Sequence, residues 1–147
     1  KTRRPRNPHR IVEEKSREYL QNILTNYTRE DVLNIAHIQM ISENSELEKK
    51  LSTPIILDTE LITIEVWLEF CGWHVPDWIR IHIESCDYHY ILFHTQVPWI
   101  DDGMRKNQYD REVLFRLFEA KLKLYNKNYV VLEDINHIET LYQDFLK

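Results

Sequence analysis

The chain has 147 residues, of which 43% are apolar, and this is enough for one packed domain of ordinary size. No apolar run approaches the roughly 20 residues of a membrane-spanning helix, so we expect a cytoplasmic protein with no membrane partner. The net charge of −5 is uneven: residues 1–10 carry five basic and no acidic side chains. Such an arm can contact nucleic acid, but the remaining body is acidic, so we interpret it as a tail and expect no nucleic-acid partner.

Alternating apolar runs and amphipathic segments predict an α/β fold with a parallel sheet, because βαβ units join parallel strands. We predict strands at residues 10–12, 55–58, 88–94 and 128–132. We predict helices at residues 13–24, 28–50, 59–71, 76–83, 110–125 and 136–145.

Local signals refine these elements. Thr28, followed by Asp31, predicts a capping box at the start of the second helix, and Asn136 with Glu139 predicts a similar cap on the last helix. The second half of the long helix, residues 42–50, is mostly charged, so we expect it to be exposed. The run Ile55–Leu57 is typical of a strand covered on both faces. Two cysteines, Cys71 and Cys86, lack a metal-ligand spacing and indicate buried thiols in a reducing compartment more than a disulfide.

The most distinctive polar stretch, Gln96–Arg105, follows a predicted strand. It contains Trp99, Asp101, Asp102 and an Asp-Gly turn. In open α/β sheets, ligands bind just outside the carboxyl ends of the strands, which makes this stretch a candidate site. A surface turn between two elements explains the composition equally well.

Other charged residues also occupy positions that suit chemistry. Asp58 ends an apolar strand with Glu60 two residues later, so these carboxylates could hold a metal-bound water or act as a base. The alternative is that Asp58 or Thr59 is the N-cap of the next helix.

Two further pairs of polar residues each have a phosphate-binding and a structural interpretation. Arg105 and Arg111 could neutralise a transferring phosphoryl group, or could pair with neighbouring aspartates. Glu14 and Arg17 could grip a phosphate, or could belong to a solvated helix face. The seven histidines show no metal-ligand spacing.

Five segments, taken together in order and spacing, carry a family resemblance: Val12–Tyr19, Tyr27–Gln39, Asp58–Trp67, Pro98–Arg105 and Arg111–Phe115. They resemble the P-loop kinase domain of NadR-type nicotinamide riboside kinases. The similarity runs from about Ile11 to the end of the chain.

The resemblance implies a three-layer P-loop kinase-like parallel sheet flanked by helices. It also implies ATP-dependent phosphorylation of nicotinamide riboside to the mononucleotide in NAD biosynthesis, with Mg²⁺ bridging the ATP phosphates. By this resemblance, Asp58 and Glu60 belong to the region of the magnesium ion and the substrate hydroxyl, and Glu14 and Arg17 lie on the riboside side. Trp99 packs on the nicotinamide ring, with Asp101 and Asp102 nearby. Arg105 and Arg111 are the arginines of the lid.

The sequence also departs from this family. Glu13 and Lys15 replace its proline and tyrosine, and the chain contains no Gly-x-x-x-x-Gly-Lys-Ser/Thr motif. We therefore expect a basic arm at 1–10 and an α/β domain at 11–147 that lacks its first strand, P-loop and first helix. Two hypotheses follow: an N-terminally truncated kinase, or a non-catalytic module that binds a riboside or nucleotide without phosphoryl transfer.

Overall fold

The computed structural model describes residues 10–13, 15, 26–95 and 111–147. The described elements are β1 (Arg10–Val12), α1 (Arg29–Glu48), β2 (Ile55–Leu57), α2 (Leu61–Phe70), α3 (Asp77–Ser85), β3 (His89–Phe93), α4 (Arg111–Leu124), β4 (Asn128–Leu132), a 3-10 turn (Ile135–His137) and α5 (Ile138–Phe145). The chain divides into two compact units, Lys1–Ile79 and Arg80–Lys147, which we call the first and second units.

The first unit contains one parallel strand pair. β1 pairs with β2 with Ile11 opposite Ile56, and the ladder continues where the Asp58 amide donates to the Val12 carbonyl at 2.9 Å. The predicted capping box begins α1: the Thr28 hydroxyl accepts from the Asp31 amide, and the Asp31 carboxylate accepts from the Thr28 amide. These strands and helices confirm the predicted parallel α/β organisation.

Apolar side chains from α1 and α2 form most of the core of the first unit. The fully buried ones include Val32, Ile35 and Ala36 on α1 and Leu61, Ile62, Val66 and Leu68 on α2. On α1 the buried residues recur at three- and four-residue spacing along one face, whereas six of the ten residues of α2 are buried.

The second unit contains the other parallel pair, with His89 opposite Asn128 and Phe93 opposite Leu132. α4 lies between these strands in the sequence, and Asn126, in the left-handed region at φ 53°, follows its last turn. The Lys127 amide then bonds back to the Leu122 carbonyl at 2.9 Å, which closes the end of the helix.

Several local predictions are wrong. Glu43, in the helical half expected to be exposed, is buried, and its carboxylate accepts a hydrogen bond from the buried Gln39 amide. Ile56 is 36% exposed, so β2 is not covered on both faces by the described residues. Asn136 does not cap the last helix: Asp134 accepts from the Asn136 amide and caps the 3-10 turn, after which α5 begins without a side-chain cap.

Other observations concern the chain more generally. Cys71 and Cys86 are free thiols, each half-buried in its own unit. The predicted helix at 13–24 falls largely outside the described residues. Among the helices that the structure describes, none is both long and apolar enough to cross a membrane.

Candidate functional site

The turn that follows β2 carries two predicted site residues, Asp58 and Glu60. Asp58 extends the strand through its amide and exposes its carboxylate. Thr59 then adopts φ 66°, a left-handed conformation that a β-branched residue rarely takes. The reversal places the Asp58 side chain at the carboxyl end of a parallel strand, where α/β proteins bind ligands.

Glu60 ends the turn and begins α2. Its backbone is extended, and its Oε1 accepts a hydrogen bond from the Ile62 amide at 2.8 Å, so Glu60 is the N-cap. The sequence-based alternative that Asp58 or Thr59 caps this helix is therefore wrong.

Two buried polar side chains of α1 lie behind the turn. The Gln39 side chain is 2% exposed, and its Nε2 lies 3.4 Å from the Thr59 carbonyl oxygen and 3.3 Å from Glu43 Oε1. Glu43 is itself 1% exposed. The carbonyl at the left-handed residue thus receives a hydrogen bond from the interior of the first unit.

A small cavity of about 20 Å³ opens beside this turn, with room for about one water molecule. Polar and aromatic side chains line it: Lys15, Gln39, Thr59, Glu60, Thr63 and Trp67, together with Ile35 and Ile64. The cavity therefore lies between Thr59 and Glu60 of the turn and residues of α1 and α2.

An aromatic cluster forms around Trp67, one of the residues that line the cavity. The Trp67 Nε1–H donates to the Tyr27 hydroxyl at 3.1 Å, and the two rings meet edge to face at 5.1 Å. Trp73 contacts the Tyr27 ring at 6.1 Å in the same manner. Burial raises the pKa of the Tyr27 hydroxyl above its usual value, although the hydrogen bond from Trp67 lowers it.

The predicted site residues fall into three groups. Asp58 and Glu60 lie together in the turn, and Arg111 begins α4 in the second unit, where it is half-buried. The others lie outside the described residues: Glu14, Arg17, Trp99, Asp101, Asp102 and Arg105.

Sequence reasoning missed Gln39, Glu43 and Thr59 as parts of this region. A signal for the first two was present, since they are polar residues on the otherwise apolar stripe of α1. No sequence pattern marks Thr59, because the left-handed conformation belongs to glycine and asparagine far more often.

The described residues contain no group of three or more histidine, cysteine, aspartate or glutamate side chains placed to hold a metal ion. An all-protein cage for zinc is therefore not formed in this part of the chain. Mg²⁺ needs fewer protein ligands, because one or two carboxylates together with substrate phosphates hold it. The exposed Asp58 carboxylate has the oxygen chemistry that Mg²⁺ prefers.

The comparison with protein families identifies the class. A family model described as an AAA domain matches residues 4–139, nearly the whole chain, and the protein belongs to that family. It is of the P-loop NTPase type, which makes this a P-loop kinase-like, nucleotide-binding domain and agrees with the parallel α/β fold. No curated protein matches the chain closely enough to assign a more particular identity.

Proposed function

We propose that this protein catalyses transfer of the γ-phosphoryl group of ATP to a hydroxyl group of nicotinamide riboside. The observation that carries the proposal is the Asp58–Glu60 turn. Its first carboxylate is exposed at the carboxyl end of a parallel strand, while the second is used to cap the next helix. Membership of a nucleotide-binding family supports ATP as the phosphoryl donor. The NadR-type resemblance supports nicotinamide riboside as the acceptor.

In this proposal Asp58 holds Mg²⁺ and orients the attacking hydroxyl. When bound, Mg²⁺ neutralises charge on the ATP phosphates. The hydroxyl oxygen forms a bond to the γ-phosphorus as the bond from that phosphorus to the β,γ-bridging oxygen breaks. ADP leaves, and Asp58 accepts the hydroxyl proton directly or through water.

The resemblance assigns roles to the remaining predicted residues. Arg105 and Arg111 neutralise charge on the transferring phosphoryl group, because a guanidinium matches the geometry of phosphate oxygens. Trp99 packs on the nicotinamide ring. Glu14, Arg17, Glu60, Asp101 and Asp102 line the riboside.

The test is steady-state phosphoryl transfer by the protein expressed from its whole gene, with Mg·ATP and nicotinamide riboside. We expect nicotinamide mononucleotide and ADP in equal amounts. Asp58→Asn should lower kcat by about a hundredfold or more, since it removes both the base and a metal ligand. Asp87→Asn is the matched control, because Asp87 is an exposed aspartate outside the site, and it should keep wild-type activity.

Two results would contradict the proposal. Calorimetric binding of the riboside without turnover would favour the non-catalytic module instead. Turnover of ATP with another nucleoside, but not with nicotinamide riboside, would keep the kinase and reject the acceptor.

A further inference from the structure

The turn at Thr59 needs an explanation that its own sequence does not give. At φ 66° the threonine side chain crowds its own backbone, so an extended or helical conformation would be favoured locally. Such outliers persist when surrounding contacts hold them in place. A residue that stabilises this conformation of Thr59 also determines the path of the backbone after β2, and with it the placement of Asp58.

Gln39 is the residue in position to do so. It occupies a core position of α1 where an aliphatic side chain would avoid the cost of burying an amide. Its amide nitrogen has two hydrogens, and the structure offers each an acceptor: the Thr59 carbonyl at 3.4 Å and Glu43 Oε1 at 3.3 Å.

Glu43 orients the Gln39 amide. It lies four residues later on α1, so its side chain is on the same face of the helix. A buried carboxylate at this distance selects the amide orientation that directs nitrogen, not oxygen, toward Thr59. The series therefore runs from Glu43 through Gln39 to the Thr59 carbonyl.

We propose that Gln39, oriented by Glu43, is a positioning residue that holds the Asp58–Glu60 turn in its left-handed conformation and thereby sets the placement of the Asp58 carboxylate. The catalytic consequence rests on the proposed phosphoryl transfer. The conformational consequence does not, because it concerns only the backbone of this chain.

The main test is Gln39→Met, which keeps a similar volume but removes both donors. We expect nuclear magnetic resonance couplings and chemical shifts at residue 59 to show loss of the positive φ. The Mg²⁺ concentration for half-maximal activity should rise about tenfold, as for other residues that orient a metal ligand, with little change in KM for ATP.

Thr59→Gly provides a rescue that a merely structural role would not produce. Glycine adopts a positive φ at little cost, so it needs Gln39 less. The double variant Gln39→Met/Thr59→Gly should therefore recover most of the Mg²⁺ dependence lost in Gln39→Met. This non-additivity is the signature of two residues that act on one conformation.

Matched variants on the same helix complete the design. Glu43→Gln keeps an oxygen that can accept from Gln39 and should behave as wild type, whereas Glu43→Leu should reproduce the defect of Gln39→Met. Ser42→Ala removes a hydroxyl that donates, among the described residues, to the Ile38 carbonyl of its own helix, and it should change neither readout.

The outcomes separate this inference from the function. If the wild type has no kinase activity, the proposed function fails, and the backbone conformation at residue 59 still decides the positioning role. An unchanged positive φ in Gln39→Met overturns the inference. An activity loss in that variant that Thr59→Gly does not reduce also overturns it.

Discussion

The two units of the chain share one plan and differ in how they are stabilised. Each has a pair of parallel strands, but those of the first unit have three residues and those of the second have five. The number of buried apolar side chains is, by contrast, larger in the first unit. Of the fifteen apolar side chains that are buried in the described part of the chain, twelve lie in the first unit and three in the second. Helix packing, and not the length of the strand ladder, therefore provides most of the described core.

This difference has a consequence for the site. The three buried polar side chains of the described residues, Gln39, Glu43 and Glu65, all lie in the first unit. There the surrounding core excludes water, and hydrogen bonds are stronger in such an environment. In the second unit, α4 exposes Val113 and Leu124, and α5 buries no residue fully, so we expect this unit to open more readily.

Truncation of a leucine in each unit gives the largest expected effect. Leu68→Ala, at a fully buried position of α2, should lower the free energy of unfolding by about 2–5 kcal/mol because it leaves a cavity. Leu124→Ala, at a position 71% exposed on α4, should change it by less than about 0.5 kcal/mol. Urea unfolding followed by tryptophan fluorescence checks the first value, since Trp67 and Trp73 lie in the first unit. Equal effects of the two substitutions would contradict the contrast between the units.

A second comparison concerns two arginines. Arg10 anchors the start of β1: its guanidinium donates to the Glu46 carbonyl at 2.9 Å and to the Thr53 carbonyl at 3.0 Å. Arg10→Met should cost about 1–3 kcal/mol, because it leaves part-buried carbonyl oxygens without these donors. Arg116, in the second unit, is 77% exposed and pairs only with Glu112 of its own helix among the bonds described for it. Arg116→Met should therefore cost less than about 0.5 kcal/mol.

Urea unfolding of both arginine variants measures this difference directly. Amide hydrogen exchange in β1 and β2 should accelerate in Arg10→Met and remain unchanged in Arg116→Met. A loss of stability that is larger for Arg116→Met would show that the exposed ion pair, and not the anchored carbonyls, matters.

The sequence predicted the described strands and helices well because their signals are local. The Thr28–Asp31 box and the amphipathic segment at residues 110–125 are both local signals, and the structure confirms the helices that they predicted. The details of the site were not accessible in this way. The Thr59 carbonyl accepts a hydrogen bond from Gln39, twenty residues earlier, and the buried Glu43 carboxylate accepts one from the same Gln39 amide. The bond to Thr59 joins residues far apart in the sequence, and no local pattern could have predicted it.

Substitution of Lys127 tests how strongly its side-chain hydrogen bonds stabilise the second unit. The Lys127 ammonium donates to the carbonyls of Ile83 and Cys86, near the end of α3, and one of these bonds measures 2.7 Å. Lys127→Met should lower the stability of the second unit by about 1 kcal/mol, because it removes a charged donor from helix-end carbonyls. Lys123→Met is the control, since this lysine is 65% exposed. Faster hydrogen exchange at the end of α3 in Lys127→Met alone would confirm the anchor, and equal exchange in the two variants would contradict it.

The smallest expected effect is a pH dependence in the first unit. The hydrogen bond from Lys49 at 2.7 Å, with Arg10 at 3.2 Å, lowers the pKa of Glu46 below its ordinary value of 4.5. A carboxyl group whose pKa is lower in the folded state stabilises that state above its ordinary pKa, and this contribution is lost as the pH falls through the lowered value. Glu46→Gln should therefore be less stable than wild type at pH 7, and the gap should close on acidification below about pH 4.5. Urea midpoints measured across this range provide the test, and Glu48→Gln, in the same exposed helix end, controls for the change in net charge. A gap that stays constant with pH would mean that Glu46 contributes through packing and not through its charge.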